Sequence, residues 1–187
     1  MTTLIAIQGN GWAMVGADRR STDSNDMPVR MATSKVVEVG QYLIAGAGSV
    51  RNCNVLQYGW NPPKPVGDLD KFMTRRFIPA MRENFQRAGI DLKADNTAAE
   101  HDSEFIVLVR GQVYMVSDDY SWERSANGLY AGGSGGRVAL GAIMALGWNV
   151  DDPKLTKQNM LIALEIASEL DINSSRPYDI CLQKAPK

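Results

Sequence analysis

Two apolar runs separated by a glycine-containing turn open the chain. Residues 4–7 place apolar side chains on both faces of a strand, and residues 12–17 resume the apolar pattern. The intervening Gly9-Asn10-Gly11 has the composition of a tight turn. This pattern predicts that the chain begins with a β-hairpin.

A second unit of the same kind lies further along the chain. Residues 35–39 and 42–45 are mainly apolar and flank Gly40-Gln41, which predicts another tight hairpin. Residues 18–34, between the two hairpins, are polar and include Pro28. We therefore expect them to form a surface loop.

Helical signals follow the second hairpin. Ser49 is placed to cap a helix over residues 50–58, and the proline-rich residues 61–65 end it. Asp68 is placed to begin another helix, which ends near Gly89. Apolar residues recur in it mostly at three- or four-residue intervals, which predicts a core-facing stripe of Leu69, Phe72, Met73, Ile78, Met81 and Phe85.

Strand patterns return after the polar residues 91–103. Residues 105–109 and 113–117 flank Gly111-Gln112 and predict a third hairpin. A short strand over residues 129–131 and a glycine-rich turn then precede a helix that reaches residue 146. The last expected elements are a helix over about residues 157–169 and a strand over residues 178–182.

This order of elements differs from the alternation of strands and helices that is typical of parallel sheets. Hairpins and helix pairs in blocks fit two antiparallel sheets that are covered by helices. We therefore expect an α+β fold. A chain of 187 residues with 44% hydrophobic content can bury one sizeable core, so we expect a single domain over residues 1–187.

Charge and composition exclude several classes of protein. Lys and Arg total 20 against 21 for Asp and Glu, so the chain lacks the global basic field of a protein that binds nucleic acid or an anionic membrane. The apolar runs are too short for a membrane helix, and residues 1–5 lack the basic region of a signal peptide. Cys53 and Cys181 lack CxxC spacing, which favours free, buried thiols in a reducing cytoplasm.

His101 is the only histidine, and it lies in the polar residues 96–103. A solvated loop residue is expected there rather than a metal ligand or a catalytic base. The sequence therefore predicts no metal, no cofactor and no mechanism that depends on histidine.

Thr2 offers a nucleophile and a base in one residue. Its small side chain permits excision of Met1, which would expose a hydroxyl and a free α-amine on the same threonine. An α-amine has a pKa of roughly 7.7–8.0, so it can accept the hydroxyl proton directly or through one water near neutral pH. Attack by Thr2 would form an acyl ester that water then hydrolyses.

Six short motifs extend over nearly the whole chain. They are Thr2-Thr3-Leu4-Ile5-Ala6-Ile7, Gly16-Ala17-Asp18-Arg19-Arg20-Ser21-Thr22, Lys35-Val36, Gly46-Ala47-Gly48-Ser49, Gly133-Ser134-Gly135-Gly136 and Asp171-Ile172-Asn173-Ser174. In order and spacing they resemble proteasome β-subunits and the bacterial HslV peptidase. The resemblance implies the four-layer αββα sandwich of the N-terminal nucleophile hydrolases and threonine endopeptidase activity.

The resemblance also implies roles for the residues around Thr2. The family's matching lysine, here Lys35, contacts the nucleophile and lowers its proton affinity, and Asp18 would pair with that lysine. Ser134 would form a hydrogen bond near the threonine amine. Asp171 and Ser174 match the pair that supports this network.

Substrate-binding positions are carried over in the same way. Gly48 resembles the glycine whose backbone N–H stabilises the oxyanion. Thr22 and Gly48 match positions whose backbones bind an extended substrate as an added strand. By position, Thr33, Gly46 and Val50 would line a neutral, fairly open pocket that suits apolar residues before the cleaved bond.

A peptidase this permissive must be kept away from folded proteins. The resemblance implies two stacked homo-oligomeric rings of six or seven subunits, to which an ATP-dependent unfoldase delivers unfolded polypeptide. We expect a cytoplasmic enzyme with no nucleic-acid or membrane partner. The lack of a propeptide before Thr2 resembles HslV more than most proteasome β-subunits.

Two alternatives use the same fold. A structural or assembly subunit would keep the fold and never expose Thr2, and a mass measurement of the purified chain separates it from an enzyme. An amidase with the same nucleophile would act on a small molecule, and a monomer or dimer in solution would favour it.

Overall fold

The computed structural model describes residues 2–22, 27–91 and 99–186. Most strands form where the apolar runs predict them. In chain order the described strands are β1 (Leu4–Gly9), β2 (Trp12–Asp18), β3 (Arg20–Thr22), β4 (Pro28–Arg30), β5 (Val36–Val39), β6 (Tyr42–Gly48), β7 (Ser103–Val109), β8 (Gln112–Val116), β9 (Trp122–Glu123), β10 (Leu129–Gly132) and β11 (Tyr178–Lys184).

The helices fall into two groups along the chain. A π-helical segment, Met73–Phe77, joins two α-helices into the continuous helix that the apolar stripe predicts, and Asp68 caps its start by accepting a 2.9 Å hydrogen bond from Lys71 N. The described α-helices are α1 (Val50–Tyr58), α2 (Leu69–Phe72), α3 (Ile78–Arg87), α4 (Gly136–Leu146) and α5 (Pro153–Leu170).

The strands form two main antiparallel sheets. The first has the order β10-β1-β2-β11, and the second has the order β5-β6-β7-β8-β9. The three predicted hairpins β1–β2, β5–β6 and β7–β8 are all present. Gly11 and Gly40 have φ of +74° and +61°, conformations that glycine adopts without steric cost, in the first two turns.

The two faces of β1 pack into different layers. Leu4 and Ala6 pack between the sheets, in a cluster that includes Ala45 and Ile106 of the second sheet. Ile5 and Ile7 point the other way, into a cluster with residues of α4 and α5. Because side chains alternate along a strand, a strand with apolar residues at every position is buried on both faces.

The remaining helices cover the outer face of the second sheet. Ile44 and Phe105 share a buried cluster with Leu56 of α1, Phe77 of the π-helical segment and Phe85 of α3. The layers therefore run helices, sheet, sheet, helices. This arrangement confirms the predicted α+β class and the four-layer αββα sandwich.

The polar region between the first two hairpins is not a plain loop. β3 and β4 pair in it as a small antiparallel sheet, from Arg20 opposite Arg30 to Thr22 opposite Pro28. The prediction missed these strands because each has three residues, β3 is polar, and β4 is exposed and begins with a proline. Strand β9 was also missed, because it has only two residues.

One predicted helix start differs from the structure in position, and another differs in its capping hydrogen bond. The helix expected from residue 157 begins at Pro153, since Asp152 caps it by accepting hydrogen bonds of 2.9 and 3.0 Å from Lys154 N and Leu155 N. Ser49 precedes α1 as predicted, but its side chain makes no capping hydrogen bond to a described residue. The cap was therefore predicted at the right position with the wrong interaction.

His101 is not the solvated loop residue that its polar neighbours predict. It is 0% exposed and lies among the rings of Phe85, Phe105 and Tyr120, with centroid distances of 5.2, 5.6 and 4.7 Å. Polarity of the local sequence failed as a guide here because the burial is created by α3 and β7. The predicted removal of Met1 lies outside the described residues.

The two cysteines are free, as predicted, but both are half-buried rather than buried. Among the helices of the described ranges, none is both long and apolar enough to cross a membrane.

Candidate active site

Thr2, Lys35 and Asp18 meet at one edge of the two sheets. Lys35 Nζ donates a 2.9 Å hydrogen bond to Thr2 Oγ1 and a 2.8 Å hydrogen bond to Asp18 Oδ1. All three residues are buried, with exposed fractions of 5% for Thr2, 7% for Lys35 and 0% for Asp18. The arrangement places a buried ammonium against the threonine hydroxyl.

Hydrogen bonds between side chains and the backbone fix Asp18 and Lys35. Antiparallel pairing of β1 with β2 brings the residues next to Thr2 alongside Asp18, whose Oδ1 accepts a 2.9 Å hydrogen bond from Thr3 N. The other carboxylate oxygen, Oδ2, accepts from Arg20 N at 2.7 Å. The Lys35 carbonyl accepts a 2.8 Å bond from the Gln57 side chain, which extends from α1. Asp18 and Lys35 are thus held by elements on both sides of the site.

Two opposing effects act on the Lys35 ammonium. Burial lowers the pKa of Lys35, and the neighbouring Asp18 carboxylate counteracts that effect. The contact with Asp18 therefore favours the charged form of Lys35 against the effect of burial. Its charge then stabilises the alkoxide form of a hydroxyl in direct contact with it.

A second hydrogen-bond network lies on the other side of Thr2. Asp171 Oδ2 accepts hydrogen bonds from Ser134 Oγ at 2.8 Å and from Ser174 Oγ at 2.6 Å. Ser174 Oγ is also 2.5 Å from Thr3 Oγ1. Burial acts to raise the pKa of Asp171, but the hydrogen bonds from Ser174 and Ser134 outweigh it and bring that pKa below its ordinary value. Asp171 therefore stays ionised and fixes both serines.

The glycine-rich turn after β10 approaches Thr2 more closely than any residue with a Cβ could. Gly135 N lies 3.3 Å from the Thr2 carbonyl oxygen, to which it donates. A Cβ on Gly133, which has φ of +75°, would lie 2.0 Å from that oxygen. A Cβ on Gly135 would lie 1.9 Å from Thr3 Oγ1. The two glycines let the turn that carries Ser134 close over the threonine.

A small cavity opens beside Thr2 and Lys35. Thr33, Gly46 and Val50 line it, as the resemblance implies. Arg20 and Lys35 line it too, so two cationic side chains lie beside the three neutral residues expected there. Its other lining residues include Ser21, Met31, Cys53, Asn54 and Gln57.

Cys53 narrows this cavity next to Gly46. A Cβ on Gly46 would lie 2.6 Å from Cys53 Sγ, so the thiol occupies the space beside the glycine. Burial raises the pKa of Cys53 to about 11, which keeps the thiol neutral near physiological pH. The cavity wall is therefore apolar at this point.

The two backbone positions expected to bind substrate differ in their placement. Gly48 lines the cavity and is exposed at the end of β6. Thr22 ends β3 and is not among the residues that line the cavity, and Ser21 of the same strand lines it instead. The strand-addition role of Thr22 stays a prediction.

A second, acidic cavity also opens at Thr2. Asp102, Glu104 and Asp118 line it together with Gly48 and Ser134. Glu104 accepts a short hydrogen bond from Gly133 N, which ties β7 to the glycine-rich turn.

Sequence reasoning missed several of these neighbours. Thr3 is 0% exposed, and a polar residue directly before a buried strand was the available sign that its hydroxyl has a partner. Glu104 and Cys53 carried no such sign, because each reaches the site from an element distant in sequence. No group of three or more His, Cys, Asp or Glu residues suited to hold a metal occurs in the described part of the chain.

Comparison with known proteins places this geometry in context. The ATP-dependent protease subunit HslV of Geobacillus sp. (strain WCH70) is 28% identical over 175 residues, which cover 90% of this chain and 89% of the relative. The ATP-dependent protease subunit ClpQ of Bacillus pumilus (strain SAFR-032) is 26% identical over 175 residues, covering 90% and 89%. The resemblance to HslV is confirmed. No family model matches the chain.

Solved structures similar to this HslV-like chain show the same fold. BPH of Thiobacillus denitrificans has a TM-score of 0.79 at 17% identity and covers 99% of each chain. Its complex with epoxomicin has a TM-score of 0.74 at 17% identity and covers 100% of each chain. HslV from Trypanosoma brucei has a TM-score of 0.69 at 18% identity, covering 98% of this chain and 99% of the other. The chain therefore shares the fold of these BPH and HslV structures.

Proposed function

We propose that this chain is a threonine endopeptidase that hydrolyses peptide bonds of unfolded proteins, with Thr2 as its nucleophile. One observation carries the proposal: the buried Lys35 ammonium donates to Thr2 Oγ1 and is itself held by Asp18. The names of the relatives, which are subunits of ATP-dependent proteases, support the same function.

The reaction begins with removal of Met1, because an amide nitrogen at Thr2 cannot accept a proton. The freed α-amine, with an ordinary pKa of roughly 7.7–8.0, takes the hydroxyl proton directly or through one water. Lys35 lowers the proton affinity of the hydroxyl by proximity of its charge. Ser134, held by Asp171, is proposed to form a hydrogen bond near this amine.

Thr2 Oγ1 then attacks the substrate carbonyl. The backbone N–H of Gly48 donates to the oxyanion that develops, and loss of such a donor slows catalysis by about 10²–10³-fold. Collapse of the tetrahedral intermediate breaks the C–N bond, and the proton held by the amine passes to the leaving nitrogen. Water hydrolyses the acyl ester by the same steps and restores Thr2.

The cavity beside Thr2 is the proposed pocket for the side chain before the cleaved bond. Met31, Val50 and the neutral Cys53 thiol supply apolar surface, which supports a preference for apolar residues. Thr22 and Gly48 are proposed to bind the backbone of the extended substrate.

We further propose that the chain works in the cytoplasm as a subunit of stacked homo-oligomeric rings, with six or seven copies in each ring. The relatives' printed description as ATP-dependent protease subunits supports an ATP-dependent unfoldase as partner. Sedimentation of the purified chain tests this part, since a monomer or dimer would contradict it and favour a small-molecule amidase.

The intact mass of the purified protein, before and after reaction with a peptide epoxyketone, tests the catalytic proposal. The probe requires both the hydroxyl and the free amine of an amino-terminal threonine. Loss of Met1 and one adduct per chain is expected, and the Thr2→Ala variant should take none. A chain that retains Met1, or a processed chain that refuses the probe, would contradict the proposal and indicate a catalytically silent subunit or a differently shaped amidase pocket.

A further inference from the structure

Gly48 lies at the junction between β6 and α1, where a glycine by itself leaves the backbone free to rotate. Gly48 has φ of +114° and ends β6, and only Ser49 separates it from the first residue of α1, Val50. A Cβ at Gly48 would lie 2.7 Å from the Asp102 carbonyl oxygen and 2.8 Å from Ser103 Oγ. The orientation of the Gly48 amide therefore depends on the segment that precedes and begins β7.

Ser103 fixes the peptide that follows Gly48. The β6–β7 ladder places Ser103 directly opposite Gly48. Its Oγ accepts a 3.1 Å hydrogen bond from Ser49 N, so the peptide on the helix side of Gly48 is held by a side chain from another strand. The ladder restrains the peptide on the other side, and the two restraints together determine the direction of the Gly48 N–H.

Asn52 holds Ser103 in its turn. Its Nδ2 donates to Ser103 Oγ at 3.1 Å and makes a short hydrogen bond to the His101 carbonyl oxygen. One amide of α1 thus bonds on both sides of Asp102, which has φ of +52°. Ser103 and Asn52 are each only 5% exposed, so water competes little for these bonds.

We propose that Ser103 and Asn52 are positioning residues that aim the Gly48 N–H at the oxyanion of the substrate. They act through Gly48 and do not touch the reacting atoms. The inference rests on the proposed function, because it concerns how that reaction's oxyanion donor is held. Neither residue belongs to the six motifs on which the resemblance rests.

Loss of the hydrogen bonds made by Ser103 and Asn52 should weaken stabilisation of the transition state more than binding of the substrate. Without the Ser103 hydroxyl, the peptide after Gly48 can rotate, and Ser49 N loses its acceptor. The donor is misdirected rather than removed, so kcat should fall by about 10-fold, less than the 10²–10³-fold of a deleted donor. KM should change less than kcat, because Ser103 and Asn52 do not line the specificity cavity and reach the substrate only through one backbone position, Gly48.

The test compares Ser103→Ala with Ser103→Thr and with Ser117→Ala in the full-length, processed protein. Ser103→Thr keeps the hydroxyl and should restore kcat. Ser117 lines the same acidic cavity as Ser103, so Ser117→Ala is a matched control. A further variant, Asn52→Asp, replaces both donor hydrogens by a carboxylate oxygen and should also lower kcat. Thermal unfolding of each variant verifies that it is folded.

Active sites are first titrated with the peptide epoxyketone, and kcat is expressed per labelled site. Affinity for a peptide boronate, whose tetrahedral adduct places an oxygen near the oxyanion donor, is the second measurement. In Ser103→Ala both should fall by similar factors. Wild-type kcat and boronate affinity in that variant, or a rise in KM alone, would overturn the inference while the proposed function stands. A wild-type chain that takes no epoxyketone would overturn both.

Discussion

Replacement of Gly135 by alanine tests whether the close approach of the glycine-rich turn matters for catalysis. Gly135 has φ of −85° and ψ of −4°, a backbone conformation that alanine adopts without strain. The effect of Gly135→Ala is therefore steric and not conformational. The new Cβ would lie 1.9 Å from Thr3 Oγ1, 2.9 Å from Asp171 Oδ2 and 3.1 Å from Ser174 Oγ.

The size of the expected effect follows from these distances. Cβ atoms essentially never come closer than 3.0 Å to such neighbours, so the turn or the Thr3 hydroxyl must move by about 1 Å. A displacement of this size at a catalytic site lowers the rate by roughly 10²-fold. Loss of the bond between Thr3 and Ser174 should lower the free energy of unfolding by about 1–3 kcal/mol.

Gly141→Ala is the matched control for this variant. Gly141 lies within α4, in the same part of the chain, and a Cβ there would meet no atom within 4 Å. That variant should keep wild-type kcat and gain about 0.5–1 kcal/mol, because alanine favours helix over glycine. Turnover of a fluorogenic peptide and urea unfolding measure both quantities. Equal kcat in Gly135→Ala and Gly141→Ala would refute the argument from close approach.

Three further variants probe other parts of the site and core. Lys35→Ala should lower kcat by at least about 10²-fold and the free energy of unfolding by roughly 3 kcal/mol, since Asp18 is left buried without its cation. Peptide turnover and urea unfolding measure both quantities, and the control Lys157→Ala, at an exposed site, should match the wild type in each. Near-normal turnover in Lys35→Ala would mean that Lys35 has a structural role alone. Cys53→Ala should enlarge the cavity and raise kcat/KM for a large apolar residue before the cleaved bond by roughly 10-fold relative to a small one; an unchanged ratio from paired peptide substrates would remove Cys53 from the pocket wall. Burial lowers the pKa of His101, so its imidazole binds a proton more readily in the unfolded chain than in the folded one. The contribution of His101 to the free energy of unfolding is therefore complete above a pH of about 6.5 and falls by up to about 1.4 kcal/mol per pH unit below it. Urea unfolding between neutral pH and mildly acidic pH should show this slope, and His101→Phe should flatten it; equal slopes would contradict the prediction.

The contact between Thr2, Asp18 and Lys35 could be predicted from the sequence because these residues lie at the ends of strands with clear local sequence patterns. The first hairpin is marked by its turn, and its register brings Asp18 beside the start of β1. Lys35 directly precedes a recognisable strand, β5. The motif resemblance then supplied the pairing, and the 2.8 and 2.9 Å contacts of Lys35 agree with it.

The supporting contacts were not predictable in the same way. Asn52 meets Ser103, and Glu104 meets Gly133, across separations set by how α1 and the glycine-rich turn pack on β7. Polar residues at such positions have no periodic signature that separates them from solvated ones. The prediction that His101 is solvated was wrong for this reason, since the apolar rings around it come from other elements.

The two glycine motifs illustrate what sequence pattern leaves undetermined. Gly48 is needed for its positive φ, and the strand pair β6–β7 confines it from one side. Gly135 has an ordinary helical conformation and is needed only because Thr3 leaves no space for a Cβ. Gly48 and Gly135 each lie next to a serine in the sequence. This pattern does not show whether a glycine is needed for a turn with positive φ or for a close approach that leaves no space for a Cβ. Register resolves the second case: Gly132 pairs with Leu4, and the turn that follows must therefore pass over Thr2 and Thr3. A substitution at Gly48 should consequently misdirect a backbone donor, whereas one at Gly135 should displace side chains, and the two should differ in whether Thr3 and Ser174 remain bonded.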